Sequence, residues 1–467
     1  MDFTVLSHAG LAVTGADTTL LCDPWLVGSC YWRSWWNYPP VRDELVASLR
    51  PTAISLSHIH WDHFHGVTLR RFPSDTPVLV PRGHHDRMRR DLEWLGFTDV
   101  RELRHGRRVE LAPDFVVTSY QFGPFLDSAL VIETEGVTLF NVTDAKLMGG
   151  PLQQVLDRHP DIDFVFRSHS SANGRLCFEI TDDPEEAVDD EERYVRSFVD
   201  FAVRSGARHA IPFASNHCFL HREVVGLNHT IKTPQMVLDE MAARGIDRPE
   251  PHVLVSGDSW SSDTGFSVAP DDWFTDRDAR LERYEAEVAD KLEASYAEEA
   301  AATVDEDEAR RYFARLSAAL PYPLRRFFRG RPVVYVLTAG DRRDALSVDL
   351  ARGTVEHLDV AEAVDDRRHP VQVHVSTHVF HQCIERDLFS HLPISKRVRY
   401  RTTSADKRTV QVLNLVFNLY EYDYLPVRKV LSRRSLRNWL DRWREVLLYG
   451  RAAVDVALGR GIDVERY

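Results

Sequence analysis

Five residues between positions 58 and 65 are of the types that bind metals: His58, His60, Asp62, His63 and His65, within SLSHIHWDHFHG (55–66). His58 and His60 are two apart, at the end of an apolar run, AISL (53–56), that reads as a buried strand. Alternate residues of an extended segment point the same way, so both imidazoles can reach one cation. Asp62 and His63, on the turn just beyond, offer a carboxylate oxygen and an imidazole to a second cation. Imidazole together with carboxylate suits zinc, iron or manganese better than calcium. A lone histidine is more often a core or surface residue, but a strand followed by H-x-H-x-D-H is far more specific. His65 is one imidazole more than such a site needs and reads as a supporting or structural residue.

Elements able to hold such a cluster surround it. FTVLSHAGLAVTGADTTLLCDPW (3–25) gives two apolar runs about a turn at Gly15-Ala16-Asp17, which suits a hairpin. TPVLVP (76–81), RRVELAPDFVVTSYQF (107–122) and SALVIETEGVTLFNVTD (128–144) continue the strand pattern, the last turning at Glu135-Gly136. Helical stretches fall at 89–96 and 151–159. A second phase follows, with strands at 162–168, 208–217 and 252–260 and a helix over 184–206. Strands interleaved with helices predict an α/β arrangement, sheets covered by helices. Residues 277–316 are helical and highly charged and read as a linker whose charge faces solvent. Beyond Pro332 comes a smaller α+β pattern that closes in the helix SLRNWLDRWREVLLYGRAAVDVAL (435–458).

The chain's 467 residues imply more than one domain: a catalytic unit over 1–265, a helical linker over 266–330 and a C-terminal α+β domain over 331–467. A formal net charge of −13 argues against nucleic acid as a partner. No apolar run approaches the roughly 18 residues of a spanning helix. The start, MDFTVLSHAGLAV, lacks the basic beginning and long apolar centre of a secretory signal, so the cytoplasm is the expected compartment. The five cysteines (22, 30, 177, 218, 383) are scattered and form neither a disulfide framework nor a metal knuckle.

The H-x-H-x-D-H after a strand resembles the signature of the metallo-β-lactamase superfamily, over roughly residues 1–265. The resemblance implies an αββα sandwich with a mono- or dinuclear metal site at one edge of two facing sheets. Asp23-Pro24-Trp25 is similar to the DPW of the branch containing UlaG-type lactonases, N-acylphosphatidylethanolamine phospholipase D and CMP-N-acetylneuraminate hydroxylases. In that branch the Asp-Pro turn supports the site from behind; a simple turn beside a buried tryptophan is the blander reading of Asp23.

The resemblance also implies where further ligands stand. A bridging aspartate normally ends a strand after a glycine-turn hairpin, often as Gly-Asp. EGVTLFNVTDAK delivers Asp144 there, with Thr143 in place of the glycine. Gly257-Asp258 is similar but late in the chain and reads as structural. The third ligand of the first metal is usually a histidine some twenty residues earlier, and VVTSYQFGPFLDSALVIE (116–133) has none. Asp127 takes that role, with Gln121 as the alternative, although an aspartate also readily caps a turn. For the last histidine the order is His217, then His169, then His221; His84 and His85 stand apart. The implied set is therefore His58, His60 and Asp127 on one metal, Asp62, His63 and His217 on the other, and Asp144 bridging. Asp62 and Asp144 are the carboxylates expected nearest the reacting atoms.

An imidazole replaced by a carboxylate makes a harder, more anionic site, which favours iron and oxygen activation over zinc. In that respect the chain resembles the diiron β-hydroxylases of natural-product assembly lines and the diiron hydroxylase acting on platensimycin-type diterpenoid thioesters. The expected function is a nonheme diiron monooxygenase of secondary metabolism: two irons, dioxygen as co-substrate, an external electron donor, and a bulky small-molecule substrate, thioester-linked or free. The runner-up is a dinuclear zinc hydrolase of an ester, lactone or phosphodiester, and a third reading is a ligand-binding protein with a relic site. The aromatic stretch CYWRSWWNYPP (30–40) reads either as core or as the wall of a substrate pocket. The C-terminal segment faintly resembles sterol-carrier-like domains, with a dimerisation or lid domain as the plainer reading and a homodimer as its consequence. RKVLSRRSLRNWLDRWR (428–444) reads as an amphipathic packing helix, with a surface for an anionic carrier such as a CoA, or for a membrane, as the alternative.

Overall fold

The computed structural model describes residues 1–170, 172, 174–184 and 192–457. Two sheets face each other in the first part of the chain. One has eight strands, in the order Gly265–Ser267, Ser259–Ser261, Asp2–Val5, Leu11–Gly15, Thr18–Cys22, Ala53–Ser55, Val78–Pro81 and Val100–Leu103. The other has seven: Glu250–Pro251, His209–Phe213, Phe164–Ser168, Val137–Thr143, Asp127–Thr134, Phe115–Phe122 and Arg108–Ala112. Alternation along each strand sends one set of side chains between the sheets, where Phe3, Val13, Leu20 and Leu79 meet Val117, Ile132, Phe164 and Ile211. The opposite set packs under helices. Met88 and Leu92 of Arg87–Trp94 cover the first sheet, and Leu152, Phe198 and Val237 of three further helices cover the second. This is the αββα sandwich that the H-x-H-x-D-H resemblance implies.

The helix expected over 184–206 runs Glu192–Ser205, residues 185–191 lying outside the described ones. In place of one strand over 252–260 there are two short ones, Glu250–Pro251 and Ser259–Ser261, because Asp258 turns the chain between them. Its carboxylate accepts from the backbone N–H groups of Val255 and Ala269, both at 2.8 Å, which is the structural role expected of it.

A third sheet of six strands is built from Phe178–Ile180, Val398–Thr402, Val371–Ser376, Val333–Ala339, Arg342–Asp349 and Thr354–Leu358, in that order. Its first strand comes from the middle of the sandwich region and pairs in parallel with Val398–Thr402. The charged helix Glu306–Ala319 turns its acids outward and buries Ala309, Tyr312, Phe313 and Leu316 in the core of this third sheet. That core also takes in Trp25 and, from the aromatic stretch, Tyr31, Trp32 and Trp35, so the two units share apolar interior.

The basic run near the C-terminus corrects an expectation. Its helix Arg433–Asp441 does not pack through leucines: Leu436 and Leu440 are 62% exposed. It is its polar face that docks, because the carbonyls of the loops after Val78–Pro81 and Phe115–Phe122 need donors. Arg434 reaches the carbonyls of Gly83 and His85 and the Glu102 carboxylate, Asn438 that of Arg82, and Arg442 that of Gly123. The closing helix expected over 435–458 is divided, Arg433–Asp441 and then Trp443–Ala457, and Leu458 lies outside the described residues.

Candidate metal centre

The strand Ala53–Ser55 is short, so His58 and His60 stand on the loop beyond it rather than on the strand itself. Their rings still meet, with centroids 4.6 Å apart and planes at 84°. The His58 and His63 ring centroids are 4.1 Å apart. The loop is held by Asp23, whose backbone sits in the left-handed region at φ +41°. One Asp23 oxygen accepts from the Ser57 backbone N–H at 2.7 Å. The other accepts from the Ser57 hydroxyl at 2.6 Å and from His63 Nδ1 at 2.8 Å. Ser57 Oγ in turn lies 2.9 Å from His58 Nδ1. With the Ser57 proton given to Asp23, His58 must donate from Nδ1. Both imidazoles are thus fixed as Nδ1–H tautomers, which leaves each Nε2 with a free lone pair. Trp25 is fully buried beside this turn.

Two groups of donor atoms result, both containing His63: His58, His63 and Asp144, and His8, Asp62 and His63. His63 Nε2 lies 3.5 Å from Asp144 Oδ2 and 3.5 Å from Asp62 Oδ2. Asp144 arrives at the end of Val137–Thr143, after Thr143 at φ +48°. That backbone suits glycine and strains a β-branched residue, a cost that recurs where a site over-determines its own geometry. Asp62 Oδ1 accepts the Tyr31 hydroxyl at 2.6 Å, which leaves Oδ2 facing His8 Nε2 at 3.2 Å.

The other residues named from sequence lie around these groups. His60 is on the rim, its Nε2 3.3 Å from the Tyr422 hydroxyl. His217 stacks on Trp35 at 3.7 Å between centroids and lies 5.4 Å from His8, on the Asp62 side. Asp127 opens the strand Asp127–Thr134 and falls outside both tight groups, within electrostatic reach of Asp144. Burial and the Asp144 charge push its carboxyl up to about 7. Gln121 donates from Nε2 to the Leu103 carbonyl at 2.8 Å, while its buried Oε1 has no hydrogen-bond partner among the described residues. His169 is buried, its backbone N–H bonded to Ser215 Oγ at 3.1 Å. His221 turns away to Glu299, at 3.5 Å. His65 caps the short helix Gly66–Leu69 through Thr68, a structural role.

Three contributors were not read from the sequence. His8 stands at a strand end in SHAG, between two apolar strands, and that placement, shared with His58, was the available signal. His391 and Tyr422 carry no local signal, for they reach the centre from the C-terminal unit. The His391 ring lies 5.7 Å from that of His60 and 5.4 Å from that of Trp61.

The residues fit metal on two counts. Buried His58 Nε2, His63 Nε2 and both nitrogens of His8 lack a hydrogen-bond partner among the described residues, and such nitrogens are costly unless a ligand takes the lone pair. The surroundings are also anionic. Burial opposes ionisation of Asp62 and Asp144, yet the neighbouring His63 holds both below the ordinary carboxylate range. Burial alone would lower His63, and Asp62 and Asp23 raise it instead. A divalent cation satisfies that field as a proton would. Burial, then His63 and His60, lower His58, which keeps its lone pair free.

No protein-family model matches the chain. Among curated proteins it is similar to a putative Rieske 2Fe-2S iron–sulfur protein of Mycobacterium tuberculosis, 30% identical over 272 residues, covering 53% of this chain and 51% of that protein. It is also similar to the cytidine monophosphate-N-acetylneuraminic acid hydroxylase of Mus musculus, 26% identical over 159 residues, 32% of this chain and 27% of that one. The second match agrees with the branch that the DPW and H-x-H-x-D-H motifs point to. The chain spans about half the length of the first of these relatives. Solved structures with some likeness include an isothiocyanate hydrolase from Delia radicum gut bacteria, at TM-score 0.43 and 15% identity over 56% of this chain and 99% of that one. A variant of the CmlA β-hydroxylase gives TM-score 0.38 and 16% identity, over 55% of this chain and 53% of that one.

Proposed function

We propose that this chain is a dinuclear metal enzyme, a nonheme diiron monooxygenase that hydroxylates a bulky organic substrate. The observation that carries the reading is the carboxylate content of the centre: Asp62 and Asp144 among the donor atoms, with Asp127 beside Asp144 where an imidazole would be expected. Oxygen donors stabilise an oxidised, harder metal. The similarity to a hydroxylase and to proteins named for an iron–sulfur cluster supports the same direction.

His58, His60, His63, Asp62, Asp144 and Asp127 would hold the pair, with His8 and His217 on the Asp62 side. Two irons bound there would supply dioxygen activation. The chain's own part is to orient and to exclude water. Asp23 and Ser57 lock two imidazoles in the tautomer that presents Nε2 inward. Tyr31 occupies one Asp62 oxygen and so aims the other. Trp35 and Trp25 wall the His8 side with apolar surface. Tyr422 and His391 close the His60 side from the C-terminal unit, and Tyr422 can hold a hydrogen bond at His60 Nε2 or release it to an entering ligand.

Reduction under this reading needs electrons from elsewhere. A Rieske cluster takes two cysteines and two histidines. The five cysteines here are all buried, and neither donor group at the centre includes one. An electron donor outside the described residues completes the system, and the substrate, thioester-linked or free, remains a small molecule.

A second reading, a dinuclear zinc hydrolase, draws on His8, which adds an imidazole to the Asp62 side and makes that half more zinc-like. Metal analysis of protein produced without added metal, with its visible spectrum, separates the two. The oxygenase reading expects about two irons per chain and ferric absorption. Two zincs, no iron and no such absorption would sink it.

A further inference from the structure

At the other end of the sandwich a second group of ligating side chains converges. The parallel pairing of His209–Phe213 with Glu250–Pro251 sets His209 directly opposite Glu250. The backbone continues extended beyond Pro251, with the His252 N–H bonded to the Ala210 carbonyl at 2.9 Å. Residues two apart share a face, so His252 joins Glu250 and His209 on one side of the sheet. His209 Nδ1 and His252 Nε2 are 3.0 Å apart, and the two Glu250 oxygens lie 3.5 Å and 3.8 Å from them. Donor atoms around one tetrahedral ion with bonds of about 2.0–2.2 Å stand roughly 3–3.5 Å from one another. The two imidazole nitrogens already stand that close, and the Glu250 carboxylate, at 3.5 Å and 3.8 Å, needs only a small rotation to join them.

The rings are also held in place. His209 stacks on Phe164 at 5.1 Å and 22°, and His252 on Phe266 at 3.9 Å and 26°. A pair of imidazoles whose planes are fixed by aromatic neighbours loses little freedom on capturing a cation. We propose that His209, Glu250 and His252 form a second cation site, for a first-row divalent ion such as zinc. Two imidazoles and a carboxylate are the donors such an ion prefers, and the partly exposed position leaves a further place for water. Burial lowers both imidazoles, so protons compete weakly at neutral pH.

The site stands apart from the centre already described. The extended strand from His209 to Phe213, at about 3.3 Å per residue, spans roughly 13 Å before the chain turns at Ala214 toward Ser215 and His217. A cation here would clamp the short edge strand Glu250–Pro251 to its neighbour and, through Phe266, steady the last hairpin of the first sheet. The inference is independent of what the main centre binds.

The test uses the full chain, freed of loosely held metal on a chelating resin and titrated with zinc alone. Metal per chain is counted after gel filtration, and the thermal midpoint is read with and without zinc. Wild type should hold one zinc more than His252→Ala or His209→Gln, and its zinc-dependent rise in midpoint should vanish in both. Equal zinc counts in wild type and variants would overturn the site, as would a wild type that takes up no zinc beyond its main centre. Should either histidine variant fail to fold, Glu250→Gln, at an exposed position, decides by its zinc affinity: a loss of tenfold or more supports the site and unchanged affinity refutes it.

Discussion

Asp23 belongs to neither group of donor atoms, yet it fixes His63 through Nδ1 and His58 through Ser57. Carboxylates that orient ligating imidazoles typically change metal affinity by about 10- to 100-fold. Asp23→Ala should therefore lower affinity by that order while the circular dichroism spectrum stays that of wild type, measured by competition with a chromophoric chelator. Wild-type affinity would mean that the loop holds its shape without Asp23. His8 sets a second question at this scale. His8→Ala should remove one of the ions, or loosen it, on the Asp62 side. Unchanged stoichiometry in His8→Ala, with loss in His217→Ala, would return the last imidazole to His217. His58, His60, Asp62 and His63 were legible because a single loop carries them in fixed spacing. His8 was not, since it becomes a neighbour of Asp62 only when two distant strand ends are brought to the same sheet edge.

At the scale of elements, regular periodicity was readable and irregular backbone was not. The strands of both facing sheets announce themselves by apolar runs, and the helix Glu192–Ser205 by its spacing. The stretch CYWRSWWNYPP offered only a choice between core and pocket wall. It is in fact a tight left-handed turn, with Tyr31, Trp32 and Arg33 all at positive φ, and nothing in residue preference foretells that. The turn is imposed by what it serves: Tyr31 goes to Asp62, Trp35 stacks on His217, and the Trp32 carbonyl accepts from Arg397 Nη1 at 2.5 Å. Arg397 is the hub of a buried network, with Glu299 at 2.7 Å, Glu223 at 2.7 Å and, through Glu299, His221. Burial alone would raise Glu299, but His221 and Arg397 hold its carboxyl down to about 2. A depressed acid adds stability that is complete above the unfolded value near 4.5 and is lost as pH falls toward about 2. Glu299→Gln should thus lose stability at pH 7, of order 3–5 kcal/mol for breaking a buried pair, with the deficit shrinking as both proteins are acidified below pH 4.5. Urea midpoints across pH 3–7 check this; a deficit that stays constant would remove Glu299 ionisation from the account.

Across the whole molecule, the C-terminal unit is part of the centre rather than an appendage to it. His391 and Tyr422 approach His60, and Trp25, Tyr31, Trp32 and Trp35 lie in an apolar core they share with Phe313, Phe380 and Phe389. Residues 1–265 produced alone should expose those tryptophans and aggregate or melt far below the full chain. A soluble fragment with the full metal complement and a native-like melting curve would show that the sandwich stands by itself. That dependence had no trace in the sequence, because a shared core is a relation between segments some 300 residues apart, and composition within each looks ordinary. Among the described residues no helix is long and apolar enough to cross a membrane.

The strand Phe178–Ile180 lies inside the stretch that builds the sandwich, yet it completes a sheet made almost wholly of residues beyond 330. A genetic crossover anywhere between the two would part that strand from Val398–Thr402, leaving one parent's edge against the other's partner. Such a chain is poorly suited to the exchange of halves by recombination. Descent by substitution, with the two halves inherited as one block, is the history that this interlacing favours.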